Sequence, residues 1–185
     1  MTEERFCPSC GEMVDTLFIM RNGQEEVSCA HCGFVFKDTS KSLKTLRAVM
    51  VAEDSPLLLR KVGEMLEAKD IARTVITCKN GQEFLEKAVA RERAELPISL
   101  VILDVNMPIL NGVNAAISLR SVERAIGPSK KIPILFFTSQ KCDDIFKKVL
   151  TYCAPAHYIN KGTGSSPEDF AERLFHVIAG LLLEH

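Results

Sequence analysis

No apolar run approaches the roughly 18 residues of a membrane span. The opening MTEERF likewise has none of the apolar core that a secretory signal carries. A membrane anchor and an exported address are therefore not expected, and the cytoplasm is the expected compartment. Charge of one sign is also missing, since the net charge is only −1. Within residues 1–40, seven acids (Glu3, Glu4, Glu12, Asp15, Glu25, Glu26, Asp38) face three bases (Arg5, Arg21, Lys37), a balance of −4 that leaves +3 for the rest. Neither part offers the basic footprint that nucleic-acid binding normally needs, so nucleic acid is not an expected partner. Internal repeats and low-complexity tracts are absent too. The seven cysteines form an odd count without an export signal, which speaks against a disulfide framework and for reduced thiols with a metal site. What is present is 46% apolar and 25% charged residues over 185 positions, enough for one ordinary domain and a small extra piece.

The small piece comes first. FCPSCG at 6–11 and SCAHCG at 28–33 are paired C-x-x-C knuckles. Between them lies an apolar-rich run, then Asn22-Gly23, then a more polar run, which is the pattern of a hairpin. FVFK after the second knuckle reads as a third short strand, and DTSKSLK at 38–44 as a polar linker. The expected boundaries are 1–38 for this piece, 39–44 for the linker and 45–182 for the main domain. The final LEH (183–185) has the look of a tag remnant.

From Thr45 onward, strand and helix patterns alternate five times. LRAVMVAED, RTVITC, ISLVILDV, IPILFFT and AHYIN are the strands. Ser55-Pro56 and Ser166-Pro167 read as helix starts, with a cap and a first-turn proline. ISLVILDV is apolar almost throughout, as a strand covered on both faces of a parallel sheet must be. The expectation is a five-stranded parallel, doubly wound (flavodoxin-like) α/β sheet with five helices, preceded by a small β zinc ribbon.

Open parallel sheets bind ligands outside the carboxyl ends of their strands. There the first strand delivers Glu53 and Asp54, the third Asp104, the fourth Thr138 and Ser139, and Lys161 follows the fifth. Taken singly, each acid is a helix cap or a solvated loop residue, Thr138 a strand-end threonine, Tyr158 a core aromatic and Lys161 a surface charge. Their convergence on one rim is what argues for a site. Crowded carboxylates repel, by about 4 kcal/mol per close pair at an effective dielectric of 20. A divalent cation with hard oxygen ligands, Mg²⁺ or Mn²⁺, removes that penalty. A central Asp104 can then act as nucleophile toward phosphorus.

These segments resemble the receiver domain of two-component response regulators over about residues 45–182. The resemblance rests on VAEDS, on LDVNMPILNG with Pro108 and Gly112, on FFTS, and on YINKG with Tyr158 three residues before Lys161. It implies that Asp104 accepts a phosphoryl group from a sensor histidine kinase or a phosphotransfer protein. It implies magnesium held by Glu53, Asp54, Asp104 and the backbone carbonyl of Asn106. Thr138 and Lys161 then assist at the phosphoryl group, and Thr138 with Tyr158 forms a switch pair whose ring packs inward. Two departures are Gly162, where the family has proline and glycine leaves the loop freer, and Ser139, where alanine or glycine is common and a larger side chain crowds the site. Asn106 and Gln140 hold positions that in the family influence acyl-phosphate lifetime.

The first piece resembles a zinc ribbon, with Cys7, Cys10, Cys29 and Cys32 as four closed Zn²⁺ ligands and Gly11 and Gly33 permitting the knuckle backbone. His31 is expected to be exposed rather than a ligand. A metal ringed by four sulfurs holds a fold and leaves no position for chemistry, so the role is structural. Cys78, Cys142 and Cys153 are read as small apolar residues. The chain as read ends soon after its last helix, so output is expected through contacts with an unknown downstream protein, on the fourth helix, fifth strand and fifth helix or on the ribbon. The protein is not expected to be an enzyme beyond self-phosphorylation from small donors and autodephosphorylation. Three alternatives stand beside this reading: a degenerate receiver used as a scaffold, a nucleic-acid-binding ribbon under receiver control, and a haloacid-dehalogenase-like phosphatase. The last would need an acid where Asn106 stands.

Overall fold

A computed structural model describes residues 4–21, 23–36, 44–126, 131–162 and 167–183. The hairpin residue Asn22, the linker up to Leu43, the cap Ser166 and the terminal Glu184 and His185 lie outside the described residues.

The N-terminal piece is an antiparallel sheet of β1 (Glu4–Cys7), β2 (Glu12–Arg21) and β3 (Gln24–Cys29) in that order. Val14 and Thr16 of β2 point inward, alternating with exposed Met13, Asp15 and Leu17, which is the period of a half-buried strand. The third strand differs from expectation. It is β1, paired with β2 from Glu4↔Asp15 to Cys7↔Glu12. Among its described residues, the FVFK stretch meets β3 through the isolated bridge Ser28↔Val35, with the N–H of Cys29 donating to the Phe34 carbonyl at 2.8 Å and the N–H of Phe36 to the Val27 carbonyl at 2.9 Å. Phe34 and Val35 are both buried, and Phe34 belongs to the core shared with the main domain, its ring meeting His157 at 6.3 Å between centroids.

The main domain is as expected. Its sheet runs β5 (Val75–Cys78), β4 (Val49–Ala52), β6 (Leu100–Asp104), β7 (Ile134–Thr138), β8 (Ala156–Asn160), with every neighbouring pair parallel. That 2-1-3-4-5 order is the flavodoxin-like arrangement. The helices are α1 (Pro56–Ala68), α2 (Gly81–Arg93), α3 (Gly112–Ile126), α4 (Asp144–Tyr152) and α5 (Pro167–Leu183). Ser55 caps α1 by accepting from the N–H of Leu58, with Pro56 in the first turn as the sequence predicts. Asn80 and Asp143 cap α2 and α4 in the same way. β4, β6 and β7 are buried along their whole lengths, because helices cover both faces. At the opposite end, buried Arg120 of α3 pairs with Glu123 at 2.7 Å and donates to the carbonyls of Ile132 and Cys153. This pair ties α3 to the segments entering β7 and β8.

The two pieces share one core. Cys7, Cys10, Val14, Cys29 and Phe34 belong to the same buried cluster as Leu103, Ile159 and Val177. The first knuckle lies along β8, the outermost strand of the five-stranded sheet. The N–H of Asn160 donates to the Ser9 carbonyl at 2.8 Å, and Ser9 Oγ donates to the Tyr158 carbonyl. The ribbon thus satisfies backbone groups that an edge strand would otherwise present. Buried Arg173 of α5 donates to the carbonyls of Pro8 at 2.9 Å and Asn160 at 3.0 Å. Among the described residues, no helix is long and apolar enough to cross a membrane.

Candidate functional site

The strand ends deliver the predicted side chains to one rim. β4 ends at Ala52, so Glu53 and Asp54 follow directly, while Asp104 and Thr138 are the last residues of β6 and β7. Carboxylate oxygens of Glu53, Asp54 and Asp104 all lie within 4.8 Å of one another, with Glu53 and Asp104 buried and Asp54 exposed. Lys161 Nζ lies 2.6 Å from Glu53 Oε2 and 2.8 Å from Asp104 Oδ1. The ammonium also sits 4.7 Å from the Phe137 ring centroid, within cation–π range. Burial raises the Glu53 pKa, and the hydrogen bond from Lys161 opposes that rise. Three carboxylates and one ammonium leave a formal −2, which a divalent cation would balance, and an all-oxygen donor set suits magnesium.

Two glycines make this geometry possible. A Cβ on Gly112 would come within 2.0 Å of the Asp104 carbonyl oxygen, and one on Gly81 within 2.3 Å of the Leu110 carbonyl oxygen. The loop from Asp104 to α3 is therefore clamped from both sides by backbone that no side chain could accompany. Asn106 is exposed in that loop, and its N–H donates to Asp104 Oδ1 at 3.2 Å. Thr138 is buried and its Oγ1 accepts from the N–H of Gln140 at 3.1 Å. Ser139 points to the surface. Gly162 is exposed, with open space around its would-be Cβ, and its N–H donates to Asn160 Oδ1 at 3.0 Å. Lys161 reaches both acids across this open turn, its own N–H donating to the Thr138 carbonyl at 2.7 Å.

The four cysteines form a second cluster. Their sulfurs lie within 4.8 Å of one another, and the pairs Cys7–Cys32 and Cys10–Cys29 are each 3.8 Å apart. A tetrahedron with Zn–S bonds of about 2.3 Å has edges of about 3.8 Å, so the spacing fits zinc. Gly11 and Gly33 close the knuckles at φ +76°, donating to the Cys7 and Cys29 carbonyls. That left-handed conformation is why glycine stands there. His31 is exposed, as expected. Burial pushes the Cys78 thiol up to about 12 and the Cys142 thiol up to about 11, which keeps both protonated and unreactive.

Sequence reasoning missed the link between the two clusters. Tyr158 is buried, and its hydroxyl donates to Cys10 Sγ at 3.2 Å. Its ring packs edge-on against Phe146 of α4, with centroids 6.0 Å apart. Ser9 and Arg173, which complete the joint, carried no signal in the sequence. The partners are about 150 positions apart, and neither serine nor arginine is unusual where it stands.

The model of the response regulator receiver domain matches residues 49–172, and the chain belongs to that family. A protein-glutamate methylesterase/protein-glutamine glutaminase of Methanococcoides burtonii is 34% identical over 90 residues, 49% of this chain and 22% of that protein. The chain thus aligns with about a fifth of the length of the curated relatives it matches. Among solved structures, the response regulator domain of Thermotoga maritima CheB superposes with TM-score 0.58 at 21% identity. That superposition covers 74% of this chain and 97% of the CheB domain. A chain of the CheX–CheY–BeF3–Mg complex from Borrelia burgdorferi gives 0.56 at 15% identity, covering 71% of this chain and 89% of that one. At these identities the likeness is one of fold.

Proposed function

We propose that the protein is a phospho-accepting receiver of a two-component phosphorelay, modified on Asp104. The observation that carries this reading is the buried Asp104 carboxylate beside Glu53 and Asp54, with Lys161 Nζ bridging it to Glu53. In the step itself, an Asp104 oxygen attacks the phosphorus of the donor. The P–N bond of a phosphohistidine, or the P–O bond of a small acyl phosphate, breaks, and its electron pair leaves with the donor. Glu53, Asp54, Asp104 and the backbone carbonyl of Asn106 would hold Mg²⁺, or Mn²⁺, which offsets charge on the phosphoryl oxygens. Lys161 moves from Glu53 toward the new phosphoryl group, and Thr138 turns its hydroxyl from the Gln140 N–H to donate to it. A sensor histidine kinase or phosphotransfer protein supplies the group, and the intact acid set argues against a degenerate scaffold.

The ribbon binds one structural Zn²⁺ through Cys7, Cys10, Cys29 and Cys32. Because its first knuckle contacts β8 and α5, the ribbon's outward side, with exposed Phe6, Met13 and Leu17, is the surface we assign to a downstream protein. The free thiols suit the cytoplasm.

The test is intact mass after incubation with Mg²⁺ and acetyl phosphate. One phosphate adduct, absent without Mg²⁺ and absent in Asp104→Asn, is expected. An unchanged mass at high donor concentration, or an adduct that persists in Asp104→Asn, would overturn the proposal.

A further inference from the structure

The last four residues of the path along β8, Tyr158 to Lys161, touch both clusters. Lys161 Nζ holds Asp104 and Glu53, and its backbone N–H holds Thr138. One residue earlier, the N–H of Asn160 is bonded to Ser9 of the first knuckle, and its side-chain amide donates to the Gln140 carbonyl at 3.1 Å. Two residues earlier again, the Tyr158 hydroxyl donates to Cys10 Sγ and the Tyr158 carbonyl accepts from Ser9 Oγ. At about 3.3 Å per residue, the span from a sulfur's hydrogen-bond partner to the ammonium on the phosphoacceptor is about 10 Å of strand. Beyond it, a Cβ on Gly162 would meet open space.

We infer that the ribbon is a second input to the receiver: Zn²⁺ bound by the cysteine quartet and a phosphoryl group on Asp104 strengthen each other through residues 158–161. The inference rests on the zinc and phosphoacceptor readings above. The sign follows from ordering. Zinc fixes the Cys7–Cys10 knuckle, and with it Ser9 and the partner of the Tyr158 hydroxyl, so the strand end is held before a phosphoryl group draws Lys161 and Thr138 inward. A ligand that meets an already ordered segment loses less entropy on binding, which gives positive cooperativity without a large rearrangement. Linkage then requires the same factor in both directions. A cavity of about 250 Å³ adjoins this joint, with Cys10, His31, Cys142 and Tyr158 among its walls.

The experiment measures Zn²⁺ affinity of the full chain by competition with a chromogenic chelator, in Mg²⁺ with and without beryllofluoride. Beryllofluoride affinity is then measured on zinc-loaded and zinc-stripped protein. Each factor is expected to be about tenfold, within the usual range of about 5 to 150 for coupled sites, and the two should agree. Tyr158→Phe, which keeps the ring and loses the hydroxyl, should bring both factors to about threefold or less. Amide exchange in β8 should slow on zinc loading alone. Affinities for zinc that do not change with beryllofluoride, or that weaken, overturn the inference and leave the two sites standing. No zinc binding at all, or no beryllofluoride binding, overturns it together with the corresponding site.

Discussion

Among the described residues, two clusters of metal-ligand type stand one in the ribbon and one in the main domain, each with its donor atoms within 4.8 Å of one another. They are built in opposite ways. The cysteine quartet is enclosed: three of its four members are buried, tight glycine turns hold its backbone, and its sulfur spacing already matches a tetrahedron. The acid trio is open: Asp54 is exposed, Lys161 bridges the other two, and the set supplies three side-chain ligands where a hexacoordinate cation needs more. A closed set spends all its donors on the metal and can only hold structure. An open set leaves positions for a phosphoryl oxygen and for water, which is where chemistry occurs. On the proposed reading, the conspicuous motif therefore holds structure, and the inconspicuous acids at separate strand ends do the chemistry.

The most severe way to break the closed half is Cys29→Ser. Metal binding in small zinc domains contributes about 10–16 kcal/mol at neutral pH, so losing one sulfur should remove the metal and melt the hairpin. Zinc content should fall from one per chain to near zero. Amide exchange should become fast in β2 and β3 while β4, β6 and β7 stay protected. Uniform loss of protection would mean that the receiver cannot stand without its ribbon. The open half breaks through backbone rather than ligands. Gly112→Ala places a Cβ 2.0 Å from the Asp104 carbonyl oxygen and should destabilise the fold by about 3–5 kcal/mol, among the largest single-residue effects. Gly162→Ala meets nothing and should change stability by no more than about 0.5 kcal/mol. Chemical denaturation of the pair checks the contrast.

How much of this was legible in the sequence follows the same division. The parallel sheet and the rim were readable because α/β alternation forces strand ends to one side, so Glu53, Asp104, Thr138 and Lys161 could be placed by counting strands. The knuckles were readable from spacing alone. What was only partly legible was local: FVFK pairs with β3 through no more than an isolated bridge among its described residues, and its Phe34 serves as a plug, since a Cβ on Gly180 of α5 would meet that ring at 3.1 Å. Conversely, ERFC forms β1 although three of its four residues are exposed, because its register with β2 comes from the knuckle that follows. The joint between the halves was not legible at all. Ser9–Asn160, Tyr158–Cys10 and Arg173–Pro8 are long-range pairs, and nothing in a single sequence says which serine meets which strand. Gly162 in place of the family's proline left the resting position of Lys161 open, and the carboxylates of Glu53 and Asp104 supply it.

The joint supplies the smaller predictions. Arg173→Met keeps an apolar stem but withdraws a guanidinium from the buried carbonyls of Pro8, Ser9 and Asn160. Stranded acceptors should lower stability by about 2–3 kcal/mol, with faster exchange in the ribbon than in β4 and β6.

The smallest effect belongs to the most visible contact between the halves, the ion pair of Glu12 and Lys141 at 2.9 Å. Lys141 is 82% exposed, so water screens the pair and ordering two long side chains offsets most of what remains. Glu12→Gln should shift stability by no more than about 0.5 kcal/mol, and that shift should vanish in high salt. A larger, salt-sensitive loss would mean that surface charge fixes the ribbon on the receiver. A null result beside a clear Arg173→Met effect would place the adhesion in buried carbonyls and the Phe34 plug, which salt does not screen.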